Sequence, residues 1–477
     1  QWSNDFMFRI LRPYFELYDI NADELVDFEE FRMLFKDVGE NTSRMEQHEL
    51  FSDADVDEDG GLNFNEFVSF LISYAFDHDV SGPLNIFQQG FHVLLAGAVK
   101  IVSVKWLLAQ SDQWIIRRCQ DLPPEAFIVP TKAATLYRQR GGLVVLSYGW
   151  LTKQHPDPLG FHLRTVRLYL SMHLDCFASY DDVGLFWDFA SLPQVGPAGE
   201  ARTPEEQETF KQGLKAINLL YGCYFSFVIQ LTRMPDPFEG LNIVAYGDRG
   251  WCSCEEIMSG LIKPSGQLLN LGESEQYLDN RQGLDAVLPS LVTSRKPPMH
   301  PDTFAEHLQT KTFTNGNDCE MVAGIYRSFF ACVTTRADVL RLCKLGPASE
   351  LGWRNAEIVQ LALALPKFEK CILLDLSGHA IGDDGMGQLA PCLPRMPSLQ
   401  DLSFAACQFG GPGLQALLQV LPDCSSLKRL KLPSQLKSTH VGLKLEESWQ
   451  QRISSMRSER QRQGAEEDGP EVFLEWS

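Results

Sequence analysis

Residues 55–66 place oxygen-bearing side chains at loop positions one, three, five, nine and twelve. Such a set suits a hard divalent cation: Ca2+ takes about six to eight oxygens in a flexible cage. Asp55, Asp57 and Asp59 offer carboxylate oxygens, Gly61 its carbonyl, Asn63 a position often filled through water, and Glu66 both carboxylate oxygens. Gly60 allows the sharp turn at position six. Residues 19–30 repeat the arrangement with Asp19, Asn21, Asp23, the Leu25 carbonyl, Asp27 and Glu30. Position six is there Glu24, which must accept a positive φ at about 1 kcal/mol, so weaker or more pairing-dependent binding is expected.

The flanks supply helices to hold these loops. Phe15 and Tyr18 precede the first; Phe28, Phe31 and Phe35 follow it. Ser43 with Glu46 forms a capping box, and Phe64, Phe67 and Leu71 mark the last helix. Val26 and Leu62, both at position eight, are placed to pair across a short ribbon. With 36 residues between loop starts, residues 6–77 resemble an EF-hand pair forming one all-α lobe. The charge agrees: residues 1–80 carry 20 Asp/Glu against 5 Lys/Arg, within a chain of net −20. That excludes a nucleic-acid face on this lobe and favours cations.

Ser81-Gly82-Pro83 closes the lobe. Phe91, Leu95, Val99, Val102 and Trp106 then recur at helical spacing, with Lys100 and Lys105 beside them. This reads as a core helix, or as a basic amphipathic target of the lobe. The uncharged run 84–99 is 16 residues long, too short to span a bilayer.

From Gly142 onward, strand-like runs 143–148, 184–188 and 225–231 alternate with helix-length segments, which predicts a parallel α/β sheet with ligands at the strands' carboxyl ends. Leu146-Ser147-Tyr148, Asp188 closing the second strand, and Trp251-Cys252 with Glu255 resemble a Toll/interleukin-1-receptor (TIR) domain, a flavodoxin-like fold, over about 120 residues. The resemblance implies either self-association in signalling or NAD+ cleavage. For cleavage, Glu255 is the catalytic acid, and Tyr148, Asp188 and Trp251 are placed around the nucleotide. A carboxylate stabilises the oxocarbenium-like state of such a reaction. Gly149 stands where many active members carry arginine. Blander roles are a helix start for Glu255, a core aromatic for Trp251, a loop cap for Asp188 and a plain loop residue for His155. No phosphate loop, nucleophile elbow or zinc motif is present.

Leu374-x-Leu376, Leu402-x-Phe404 and Leu430-x-Leu432 recur every 28 residues, which resembles ribonuclease-inhibitor-type leucine-rich repeats and implies protein contacts or a packing cap. The expected organisation is multidomain: 1–80 calcium lobe, 81–140 helical connector, 141–335 α/β domain, 336–366 helical linker, 367–440 repeats and 441–477 charged tail. The 12 scattered cysteines point to free thiols in a reducing, cytoplasmic setting. The chain opens on Gln1 and is expected to be a fragment, which leaves a targeting signal out of view.

Overall fold

The computed structural model describes residues 12–38, 44–70, 88–274, 278, 283–344, 352–462 and 472–477, apart from 13, 14, 17, 22, 58, 69, 197, 237–240, 294 and 314–317. Ser43, Leu71 and 81–83, assigned roles above, lie outside the described residues. Two units result: 1–145 with 177–220, and 146–176 with 221–477.

The first unit begins with the acidic loops. β1 (Val26–Asp27) leads into α1 (Phe28–Val38); α2 (Arg44–Ala54) leads to β2 (Gly61–Leu62). β1 and β2 pair antiparallel, with Val26 opposite Leu62 and Asp27 opposite Gly61. Phe15, Tyr18, Val26, Phe31, Phe51, Leu62, Phe64, Phe67 and Phe70 form one buried cluster behind that ribbon. Its rings meet edge to face, Phe31 and Phe70 at 4.7 Å between centroids, an arrangement that adds about 0.5–1.5 kcal/mol per pair beyond burial.

The long connector helix is corrected. α3 (Gln88–Leu95) stops at Gly97, whose φ is +66°. Gly97 N–H donates to the Leu94 carbonyl and Ala98 N–H to that of Val93, a Schellman close. The β-branched residues beyond it form β3 (Ile101–Ser103), so Val102 lies in a sheet, not on a helical stripe with Phe91. β4 (Phe127–Ile128), α4 (Pro130–Tyr137) and β5 (Leu143–Tyr148) follow.

The remaining elements of the sheet region are α5 (Phe161–Cys176), β6 (Gly184–Phe186), α6 (Pro204–Gly222), β7 (Phe227–Leu231), α7 (Gly250–Gly260) and β8 (Leu268–Asn270). Thr203 and Glu206 cap α6 reciprocally, as their spacing predicts. The strand order is β4-β3-β6-β5-β7-β8. β5 runs parallel to β6, and β7 to β8, but β3 is antiparallel to β4 and β6. The sheet is therefore mixed, and it starts before residue 141. All six residues of β5 are buried, which explains its unbroken apolar run. The stretch 272–300 contains a helix, Leu284–Leu291, that buries Leu284, Val287 and Leu291.

The second unit also holds a fully parallel sheet in consecutive order: β9 (Val339–Arg341), β10 (Leu373–Asp375), β11 (Asp401–Ser403), β12 (Arg429–Leu432) and β13 (Phe473–Trp476). Leu340, Leu374, Leu402, Leu430 and Leu474 stand in register across it. The aligned strands start 34, 28, 28 and 44 residues apart. Only the two equal steps show as a period, so the stretches expected to be a linker and a charged tail each supply a strand. Side chains brace successive turns: Asn355 accepts from Gly382 N–H at 3.0 Å, and Asp383 accepts from Gly410 and Gly413 N–H, both at 2.7 Å.

Among the described residues no helix is long and apolar enough to cross a membrane, and no disulfide joins the cysteines. A Cβ on Gly142 would lie 2.2 Å from the Leu136 carbonyl oxygen, so nothing larger fits between α4 and β5. Gly142→Ala is expected to lower stability by roughly 1–3 kcal/mol, read as a fall in the urea midpoint with unchanged slope.

Candidate calcium centre

Each acidic loop is folded by its own carboxylates. In the second, Asp55 Oδ1 accepts from Asp59 N–H at 3.2 Å and Oδ2 from Gly60 N–H at 3.0 Å. Glu66 Oε1 accepts from Val56 and Asp57 N–H, and Oε2 from Asn63 N–H. Asp59 Oδ1 accepts from Gly61 N–H, and Asn63 Oδ1 from Asn65 and Glu66 N–H. Asp55 and Glu66 are buried, while Asp57 and Asp59 face outward.

The first loop carries corresponding bonds to Asp19, Asp23, Asp27 and Glu30. Asp19 accepts from Asp23 and Glu24 N–H, Asp23 from Leu25 N–H, and Asp27 from Glu30 N–H. Glu30 accepts from Ile20, Asn21 and Asp27 N–H. Gly60 takes φ +94° and Glu24 takes φ +68°, so the non-glycine residue adopts the strained turn expected of it. Glu24 also meets Arg12 at 3.2 Å, an exposed pair of small energetic weight.

One oxygen from each of Asp55, Asp57 and Asp59 lies within 4.8 Å of the others. That gathering of like charge fits a cation of calcium's size and all-oxygen preference. Lost hydration, then the charges of Asp59, Glu66 and Asp55, raise the Asp57 carboxyl above its usual range. Asp55, Asp57, Asp59, Gly61, Asn63 and Glu66 would hold the ion in this loop; Asp19, Asn21, Asp23, Leu25, Asp27 and Glu30 would hold it in the other.

Around the second half of β5, a separate polar cluster forms. Ser147, fully buried, donates to Glu255 Oε2 at 2.5 Å and lies 2.6 Å from the Tyr246 hydroxyl. Burial pushes the Tyr246 phenol well above its ordinary value, so it stays protonated. With the Ser147 hydrogen given to Glu255, Tyr246 is the donor, and the chain runs Tyr246 to Ser147 to Glu255. Glu255 is the sixth residue of α7, not a helix start. Trp251 Nε1 donates to Asp318 Oδ2 at 3.0 Å, and the Tyr148 ring meets His162 edge to face. Asp188 belongs to the first unit, where it opens the short helix Asp188–Ser191 and accepts from Phe189 N–H.

Gly149 is explained by a neighbour. A Cβ there would meet the Arg249 guanidinium at 2.6 Å. Arg249, itself buried, donates to the carbonyls of Val244, Trp150 and Asn242. Asp157 and His162 are also fully buried, and Asp157 Oδ1 and His162 Nδ1 lack a hydrogen-bond partner. Sequence reasoning missed Ser147, Tyr246, Asp157, His162 and Arg249 as site residues. Ser147 and Tyr246 are 99 positions apart, and Ser147 and Glu255 are 108 apart, so no local spacing joins them.

Comparison with known proteins bears on the N-terminus. Residues 9–72 match the EF-hand domain pair. Over 79 residues the chain is 29% identical to the calcium-binding allergen Ole e 8 of Olea europaea, covering 17% of this chain and 46% of that protein. The chain thus spans about half the length of that curated relative. The N-terminal lobe is an EF-hand calcium-binding domain pair, set in a multidomain chain of helices and parallel-stranded sheets.

Two outcomes test the loop physics. Glu24→Gly removes the strained φ and should stabilise the lobe in chelator by about 1 kcal/mol, seen as a higher melting temperature. A carboxyl whose folded pKa is raised contributes stability below its unfolded value and loses it as pH climbs through the folded value. Melting in chelator should therefore fall less steeply from acid to neutral pH in Asp57→Asn than in the parent.

Proposed function

We propose that both loops take up Ca2+ and that occupancy regulates a TIR-like α/β module, through conformational change or recruitment of a partner. The observation that carries this reading is the shared hydrogen-bond pattern of two loops joined by one ribbon, with the carboxylates of Asp55, Asp57 and Asp59 clustered in the second. Calcium replaces repulsion among Asp55, Asp57, Asp59 and Glu66 with attraction. The energy released is available to move the helices that carry the ligands.

The 28-residue leucine pattern and the consecutive parallel sheet support a leucine-rich repeat that contacts a protein partner. Self-association of the TIR-like module is the other mode of contact. Twelve cysteines scattered along the sequence fit a reducing compartment, the cytoplasm.

A second reading is a Ca2+-gated NAD+ nucleosidase using Glu255. Its support is the carboxylate held by Ser147 at the carboxyl end of β5, where ligands of such sheets sit. Titration calorimetry with Ca2+ should give saturable heat that Glu66→Gln weakens at least tenfold; no heat sinks the first reading. Incubation with NAD+, with and without Ca2+, should yield free nicotinamide from the parent but not from Glu255→Ala; no turnover in either condition sinks the second.

A further inference from the structure

Loop one delivers its last ligand from a helix. Glu30 lies in the first turn of α1, and its two oxygens are bound to three backbone N–H groups, those of Ile20, Asn21 and Asp27. An ion that takes both oxygens of Glu30 must compete with those bonds, so α1 is the element that ion uptake repositions first. α1 rests against α4 within the same unit. α4 is not a loose neighbour. The Tyr137 hydroxyl donates to the Leu219 carbonyl at 3.1 Å, and the Arg138 guanidinium covers the Phe91 ring at 3.7 Å. After it the chain turns at Gly141, with φ +77°, and Gly142 packs too closely on Leu136 to leave slack before β5. Gly142 N–H donates to the Gln139 carbonyl, and the Gly142 carbonyl accepts from Gly184 N–H at 2.8 Å, next to β6.

We propose that α4 is the output element of the calcium lobe: uptake at loop one moves α1 through Glu30, and α1 shifts α4 against the start of β5. This rests on the reading that the loops bind Ca2+. It names loop one, the loop with the strained Glu24, as the regulatory one, and it assigns the internal target to residues 130–142. The stretch from Gln88 to Leu108 is not one helix: past Gly97 it forms β3 and then a short helix, Val104–Leu108.

Hydrogen exchange of the full chain, read by mass spectrometry over residues 128–142, tests this beside calorimetry on the same sample. Exchange in 130–142 should change at least fivefold with Ca2+, with its midpoint at the free Ca2+ that half-saturates the heat. Glu30→Gln should abolish that response while the second loop still binds. Glu30→Asp, which keeps the charge but shortens the reach, should blunt it and guards against a misfolded first variant. Saturable heat with unchanged exchange in 130–142 overturns the coupling and leaves calcium binding standing. A full response in Glu30→Gln overturns the route through α1. Absence of heat removes the calcium reading and this inference with it.

Discussion

Like charge gathered within one short loop is the constraint from which the lobe follows. Three aspartates reach into one small volume, and backbone N–H groups are what restrain them. Each amide aimed at a carboxylate fixes the path of the loop, so backbone hydrogen bonds hold the ligand set in place. The ribbon of Val26 and Leu62 couples the two cages, because a shift in one strand is a shift in the hydrogen-bond partner of the other. The aromatic cluster behind the ribbon ties both cages to one apolar core.

The sheet region obeys a different economy. Its strands are buried on both faces, and Tyr246, Ser147 and Glu255 satisfy one another there in a hydrogen-bonded chain. Arg249 shows the same rule for a charge. Burial lowers its pKa, and three carbonyl oxygens, rather than a carboxylate, accept its protons. The guanidinium thereby stitches the stretch ahead of α7 to the exit of β5, and the absence of a side chain at Gly149 is the condition for it.

The acidic loops were legible because every ligand lies within twelve consecutive residues, down to the positive φ of Glu24. β5, β6 and β7 were legible from short apolar runs bounded by glycine or polar turns. The connector was not, because Phe91, Leu95, Val99 and Val102 keep a helical interval across a break that Gly97 imposes. Periodicity registers side chains, whereas the break is made by backbone hydrogen bonds. The repeat region was half legible: equal spacing revealed β10 to β12, while the longer intervals leading to β9 and β13 concealed them. The cluster at Ser147 had no local signature, since its members meet only after the sheet has formed.

β13 carries a practical consequence. It covers the outer edge of β12, Ser477 N–H donates to the Leu432 carbonyl and Ser434 N–H to that of Ser477, while Trp476 bonds Glu446. Trimming residues 472–477 for expression would bare a row of unsatisfied amides and carbonyls, an invitation to strand-mediated aggregation.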